Sequence, residues 1–342
     1  MDIQIHQPLS NYTTIRIGGP AHFVADIHTV EELMAVETNA KRLGQKTYVI
    51  GGGSNLIGRD EGFDGVIIRN QILGFDVIAD DSESTTLKIG SGELWDSVVA
   101  RTVDMQLSGI EALSLIPGTA GAAPVQNVGA YGQEVADTLQ SVEAYDTTSG
   151  NMVELSWQDC EFSYRHSIFR GSSYGRYVIT SITLKLYKKT PEPPFYAALQ
   201  SYLDEHGIHE YDVATVREAV IAIRKDKLPD PSVLPNAGSF FKNAIVEDWQ
   251  RNSLLEQHPD MPSYKMDEKH YKIPTGWLIE QTGLKGESLH NMKVHDANAL
   301  VLINQSATSY QDLANARAQI IGAVRDLFQI TIEQEPLEIT NQ

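Results

Sequence analysis

Apolar residues recur at helical spacing from Val30 to Leu43 (VEELMAVETNAKRL), and Gly44 supplies a C-terminal stop. The period then shortens to that of a strand in Lys46–Ile50 (KTYVI), which runs directly into Gly51-Gly52-Gly53-Ser54-Asn55. With a second strand predicted at Gly65–Arg69, the opening segment reads as a β-α-β unit. Strands at Asp76–Ala79 and Thr85–Ile89 precede a helix from Glu93 to about Gln106. Ser141–Asp146 and Met152–Leu155 flank Thr147-Thr148-Ser149-Gly150 and predict a hairpin, and the alternating run Tyr177–Tyr187 predicts a closing strand. The proline-rich, polar Lys188–Pro194 (KKTPEPP) reads as a linker. Beyond it, Phe195–His206, Val213–Lys225 and Leu313–Phe328 read as helices and Ile330–Glu333 as a strand. The pattern predicts an α+β protein of three modules, 1–70, 71–190 and 191–342, with no internal repeat.

Composition narrows the function classes. A chain of 342 residues with 42% apolar and 21% charged residues can bury two or three cores. Its net charge of −18 argues against nucleic acid, whose phosphates are bound through basic faces. A small anionic ligand would instead need a local group of cations, for which Arg224, Lys225, Lys227 and Lys242 lie close in sequence. The single cysteine, Cys160, excludes an intrachain disulfide and a cysteine-built metal site, so no metal is expected. Without an apolar run of about 18 residues or a signal-like N-terminus, neither a membrane span nor secretion is expected. These features predict a cytoplasmic protein.

Two glycine-rich segments carry the chemistry. Ile116–Gly132 (IPGTAGAAPVQNVGAYG) holds four glycines and four alanines without a charged side chain. So many glycines suit a backbone that turns sharply or approaches another molecule too closely for a Cβ. Such a loop recognises its ligand through N–H groups, as nucleotide and cofactor cradles do. The second segment, GGGSN at 51–55, follows a strand and can form a nest for a diphosphate. Neither segment has the dinucleotide G-x-G-x-x-G spacing before a helix, and neither has the G-K-[ST] of a P-loop. Two such loops predict a cofactor held between two small domains.

These loops, in this order, resemble the flavin-binding region of the UDP-N-acetylenolpyruvoylglucosamine reductases. Tyr164-Arg165-His166-Ser167-Ile168-Phe169, Lys227-Leu228-Pro229-Asp230-Pro231, Asn236–Asn243 (NAGSFFKN), Gly276–Gly286 and His295–Asn304 carry the resemblance along nearly the whole chain, in its longer (type I) form. The resemblance implies an FAD-binding module of the vanillyl-alcohol-oxidase (PCMH) type, in two subdomains, followed by an α+β substrate domain. It further implies reduction of UDP-N-acetylglucosamine enolpyruvate to UDP-N-acetylmuramate for peptidoglycan synthesis. NADPH would be the co-substrate that reduces FAD, hydride would pass from flavin N5, and the enzyme would be a monomer. Implied cofactor contacts are Gly51, Gly52, Gly53, Ser54, Asn55, Pro117, Gly118, Thr119, Gly121, Ala122, Gln126, Asn127, Gly129, Ala130, Tyr131 and Gly132.

The same resemblance assigns catalysis to Arg165, Ser239 and Glu335. An arginine can bind a carboxylate bidentately and stabilise charge that develops on it. Ser239 falls on the proton donor; a hydroxyl is a weak acid, but an enolate-type carbanion is a strong enough base to take its proton. The residues themselves do not separate Glu335 from Glu333, and the tail departs from the family at Gln334 and Pro336. Alignment through Phe328 and the 330–332 segment places Glu335 on the catalytic acid. Tyr164, Tyr196, Lys227, Asn243 and Asn298 fall on positions that hold the UDP-sugar, the loop bearing Tyr196 marking the longer form. Two rivals remain at this point: another FAD-dependent oxidase or dehydrogenase of the same fold, and a non-catalytic nucleotide-binding module.

Overall fold

A computed structural model describes residues 2–341. The first module is a four-stranded sheet in the order β1 (Asp2–Pro8), β2 (Pro20–Ile27), β5 (Phe63–Asn70), β3 (Lys46–Ile50). Strands β2, β5 and β3 run parallel, with α1 (Val30–Arg42) crossing from β2 to β3, and β1 adds an antiparallel edge. Thr29 caps α1 by accepting from the Glu32 amide, and Gly44 lies just beyond its end at φ +66°. The sheet is buried on both faces. Ile67, Val24 and Ile50 pack on one side, while Ile68, Ala25, Leu33 and Val36 meet Tyr145 and Val178 of the second module on the other.

The second module is an antiparallel sheet built from β6 (Phe75–Asp80), β7 (Ser84–Gly90), β10 (Leu139–Asp146), β11 (Asn151–Ser156) and β12 (Tyr177–Tyr187). Its order is β11-β10-β12-β7-β6, and two-residue strands β8 (Gly129–Ala130) and β9 (Gln133–Glu134) form a separate small hairpin. Helix α2 (Trp95–Asp104) buries Trp95, Val98, Val99 and Val103 against Leu87, Ile89, Ile182 and Leu184. The helix begins later than expected, because Leu94 is bridged to Thr119 and Glu93 turns back to accept from the Gly74 amide. After the proline-rich stretch come α3 (Ala197–Glu205) and α4 (Val213–Lys227), which share a core with Ala112 of the second module. Arg217 of α4 pairs with Asp96 of α2 at 2.7 Å.

The third module holds two small sheets. One is ordered β13 (Asn236–Ser239), β19 (Val301–Asn304), β18 (Met292–Val294), β17 (Ser288–Leu289). The other is ordered β14 (Ala244–Glu247), β16 (His270–Ile273), β15 (Tyr264–Lys265). Helices α5 (Asp248–Gln257), α6 (Thr275–Gln281) and α7 (Tyr310–Phe328) accompany them, and Ser309 caps α7. Their core of Phe240, Phe241, Leu278, Leu313, Ile320 and Phe328 also takes in Ile15, Ile17 and Ile57 of the first module.

One expected element is absent: Ile330–Glu333 forms no strand. Ile330 and Ile332 alternate into the core and so mimic a strand in the sequence pattern, yet they belong to no strand. The strand of this tail is β20 (Leu337–Ile339), which pairs in parallel with β4 (Leu56–Gly58) immediately behind the GGGSN loop. Glu338 anchors it through Arg59 and Arg317, each at 2.6 Å. Among the described residues no helix is long and apolar enough to cross a membrane, and no group of three metal-ligating side chains is present.

Candidate active site

The two glycine-rich loops face one another at backbone distance. A Cβ on Gly51 would lie 2.3 Å from Thr119 Oγ1, and one on Gly52 would lie 3.0 Å from Gly118 Cα. Gly53 turns at φ +67°, where a Cβ would sit 1.9 Å from the Tyr12 carbonyl oxygen. Ser54 Oγ donates to Pro117 O at 3.1 Å, and Asn55 Nδ2 donates to Gln126 Oε1. Between the loops lies a cavity of about 700 Å³, bounded also by Tyr48, Arg165, Arg224, Ser239 and Glu335. That volume falls within the range of pockets that enclose large cofactors. A cradle in which Gly51, Gly52 and Gly53 leave little or no room for a Cβ fits the diphosphate of a flavin dinucleotide.

Of the expected cofactor contacts, residues 51–55, 117–119, 121, 122, 126, 129 and 130 line this cavity. Asn127 is instead buried beneath it, donating to Glu134 Oε2 at 2.6 Å and accepting from the Ala136 amide at 3.1 Å. Tyr131 and Gly132 border a neighbouring cavity of about 480 Å³. Gly53→Ala tests the cradle, with Gly44→Ala as its control. Gly44 shares the left-handed φ but has nothing within 4 Å of an added Cβ, so its variant carries only the conformational cost of about 1–2 kcal/mol. Gly53→Ala should lower the thermal midpoint well beyond that control and release flavin, read from the ratio of visible to ultraviolet absorbance.

Arg165 sits at φ +53°, a conformation that a bulky side chain adopts only when its surroundings enforce it. Its Nη2 donates to Gly129 O at 2.8 Å, and its Nε stands 3.3 Å from Glu335 Oε1, off the line of a hydrogen bond. Glu335 is fixed by its own amide, which donates to Phe240 O at 2.9 Å. Burial pushes its carboxyl above the usual carboxylate range, although Arg165, Arg170 and Lys242 all pull it down. The two glutamates left open by the sequence have different surroundings. The Glu335 side chain is 11% exposed on the cavity wall, whereas that of Glu333 is 73% exposed and paired with Lys242 at 3.1 Å. Ser239 closes β13 after Gly238, at φ +71°, and lines the same cavity.

The residues expected at the UDP-sugar are dispersed. Tyr164 lies near Asn243, whose Oδ1 accepts from the Thr275 amide at 3.1 Å. Tyr196 opens α3 and meets Tyr131 edge-on at 6.2 Å. Lys227, the last residue of α4, is exposed and outside the cavity wall. Asn298 Oδ1 accepts from the Leu300 amide at 3.1 Å, closing its own turn. Of the suspected cation group, Arg224 reaches the cavity, its Nε buried without a hydrogen bond among the described residues, while Lys225 is exposed. Lys272 carries no sequence signal, yet its Nζ lies 5.6 Å from the Tyr164 ring; burial and Arg165 lower its pKa.

Comparison with known proteins covers the chain from both sides. Residues 21–156 match the FAD binding domain, and residues 230–339 match the C-terminal domain of UDP-N-acetylenolpyruvoylglucosamine reductase. The reductase of Ralstonia nicotianae is 38% identical over 338 residues, 98% of each chain. That of Burkholderia cenocepacia is 39% identical over 334 residues, covering 96% of this chain and 95% of the relative. The crystal structure of the reductase from Thermus caldophilus superposes with a TM-score of 0.67 at 23% identity, covering 99% and 98% of the two chains, which establishes a common fold. The chain belongs to the UDP-N-acetylenolpyruvoylglucosamine reductase family.

Proposed function

We propose that this protein is the FAD-dependent reductase that converts UDP-N-acetylglucosamine enolpyruvate to UDP-N-acetylmuramate in peptidoglycan precursor synthesis, with NADPH as the flavin's reductant. The observation that carries this reading is the single cavity joining both glycine loops to Arg165, Ser239 and Glu335. Bound FAD supplies hydride-transfer chemistry that no amino-acid side chain offers. The loops at 51–55 and 117–130 hold it through main-chain groups, leaving the charged side chains for the substrate.

Reduction of an enol ether leaves negative charge at substrate C2, delocalised into the adjacent carboxylate. Arg165, permanently charged and already fixed by Gly129, stabilises that charge as it forms. Ser239 holds at Oγ the proton that C2 receives. Glu335, buried and close to Arg165, orients the carboxylate end and can itself carry a proton, because burial raises its pKa. Tyr164, Tyr196, Lys227, Asn243 and Asn298 are the proposed contacts of the UDP-sugar. Lys227 lies one turn beyond Arg224 on α4, so a diphosphate leaving the cavity past Arg224 would meet its ammonium. A non-catalytic binding module would have no evident use for a largely buried arginine–glutamate pair, since taking charges out of water is costly.

The proposed units are residues 1–70, 71–190 and 191–342, with α3 and α4 reaching back onto the second. A cytoplasmic monomer that binds neither membrane nor nucleic acid completes the proposal. The lone thiol, Cys160, is buried and its pKa is pushed up to about 12, which suits a non-reactive structural cysteine. The purified protein should show a flavin spectrum that NADPH bleaches without oxygen and that UDP-N-acetylglucosamine enolpyruvate restores. A colourless protein that takes up no FAD would sink the reading.

A further inference from the structure

Arg170 has no part in the reaction as described, yet it touches several of the pieces that enclose the catalytic carboxyl. Its Nη2 donates to the main-chain oxygen of Glu335 at 2.7 Å, and its Nη1 donates to Gln126 Oε1 at 2.9 Å. Gln126 is gripped from the other side by Asn55 Nδ2, and its own Nε2 stands 3.5 Å from Glu335 Oε1. One planar guanidinium therefore fixes both the backbone of Glu335 and the carboxamide facing its carboxyl. A fork of this kind holds two acceptors in fixed directions, which a lysine ammonium does not.

We propose that Arg170 is a positioning residue that sets the orientation and protonation of Glu335 through Gln126 and the Glu335 carbonyl. This rests on the reading of Glu335 as a catalytic acid. The charged and titratable groups around that carboxyl are Arg165, Arg170 and Tyr164 from the second module, and Lys242 from the third. Glu333, paired with Lys242, and Tyr48 also act on Arg170, while Gln126 and Asn55 are neutral. Taking Arg170 away removes one of three cations that oppose the effect of burial, so the carboxyl becomes harder to ionise.

The test uses full-length holoenzyme carrying Arg170→Met, Arg170→Lys or Glu335→Gln, and the double variant R170M/E335Q. Flavin bleaching by NADPH and its recovery on adding UDP-N-acetylglucosamine enolpyruvate are followed separately by stopped flow across pH. Arg170→Met should leave bleaching within about twofold of wild type and slow recovery by about 10- to 100-fold, less than loss of the acid–base group itself, as befits a residue that acts through it. The pH limb belonging to Glu335 should move upward. Arg170→Lys should return that limb toward wild type while regaining only part of the rate, and it carries the test should the methionine variant fail to retain flavin. In the Glu335→Gln background, Arg170→Met should add little, as expected for residues acting through one group. An unmoved limb, equal loss in both half-reactions, or fully additive losses would overturn the proposal. Glu335→Gln with a wild-type recovery rate would overturn the reading of Glu335 and this proposal together. Glu335→Gln impaired beside a wild-type-like Arg170→Met would overturn this proposal alone.

Discussion

Ser239→Ala should slow product formation by about 10²- to 10⁴-fold while flavin reduction by NADPH stays within about twofold of wild type, the range expected when a positioned acid is removed. The two half-reactions separate because only the second protonates carbon. Ser239 ends β13 behind a left-handed glycine and borders the cavity, so loss of one oxygen should disturb neither the loops at 51–55 nor those at 117–130. Rapid-reaction spectroscopy reads both steps in one sample: bleaching at the flavin band, then recovery when the enolpyruvyl substrate is added. Comparable losses in the two steps would remove Ser239 from the role of proton donor and make it a structural contact of the cofactor site.

Arg165→Lys should lower kcat for the overall reaction by about 10²- to 10³-fold, as does removal of other groups that stabilise developing negative charge. The retained positive charge should rescue little. Arg165 spends one N–H on Gly129 O while its Nε stands 3.3 Å from Glu335, a division that an ammonium on a flexible stem cannot reproduce. The backbone at φ +53° adds a second reason, since the loop presents this side chain from a conformation held by its neighbours. The variant should retain bound flavin and be reduced by NADPH near the wild-type rate. Loss of flavin from Arg165→Lys would instead make the arginine part of the cradle.

The parts of this site that were legible in the sequence are those that depend on local chemistry. Glycines 51–53 and the uncharged 116–132 segment point to main-chain recognition because so many missing side chains suit a backbone that turns sharply or meets another molecule closely. Their mutual approach, with Gly52 close against Gly118, depends on how two modules dock and leaves no local signal. The choice between Glu335 and Glu333 likewise turns on burial. That burial is set by the pairing of Leu337–Ile339 with Leu56–Gly58, and strands of three residues are too short to show a period. Ile330 and Ile332 misled for the opposite reason: alternation records alternate burial, whatever the neighbour is. β1 was missed because Ile3 and Ile5 of this edge strand face outward among polar residues. Arg170 and Lys272 are single cations without a pattern, and only the fold brings them to Gln126 and Glu335 and to the Tyr164 ring.

The pairing of β20 with β4 has a consequence for the life of the chain. Ribosomal synthesis delivers the first sheet and both glycine loops long before β20 exists, and domains tend to fold in that order. The flavin cradle is therefore made early, whereas the strand that braces it and the carboxyl beside it are translated after every other element among the described residues. A contact between such distant parts of the sequence is slow to form and offers nothing until the intervening chain has folded. Maturation of this enzyme is thus ordered in time: a partly made chain can shape the glycine-loop side of the pocket, but the Glu335 carboxyl joins it only after the helices and sheets of the third module have been made.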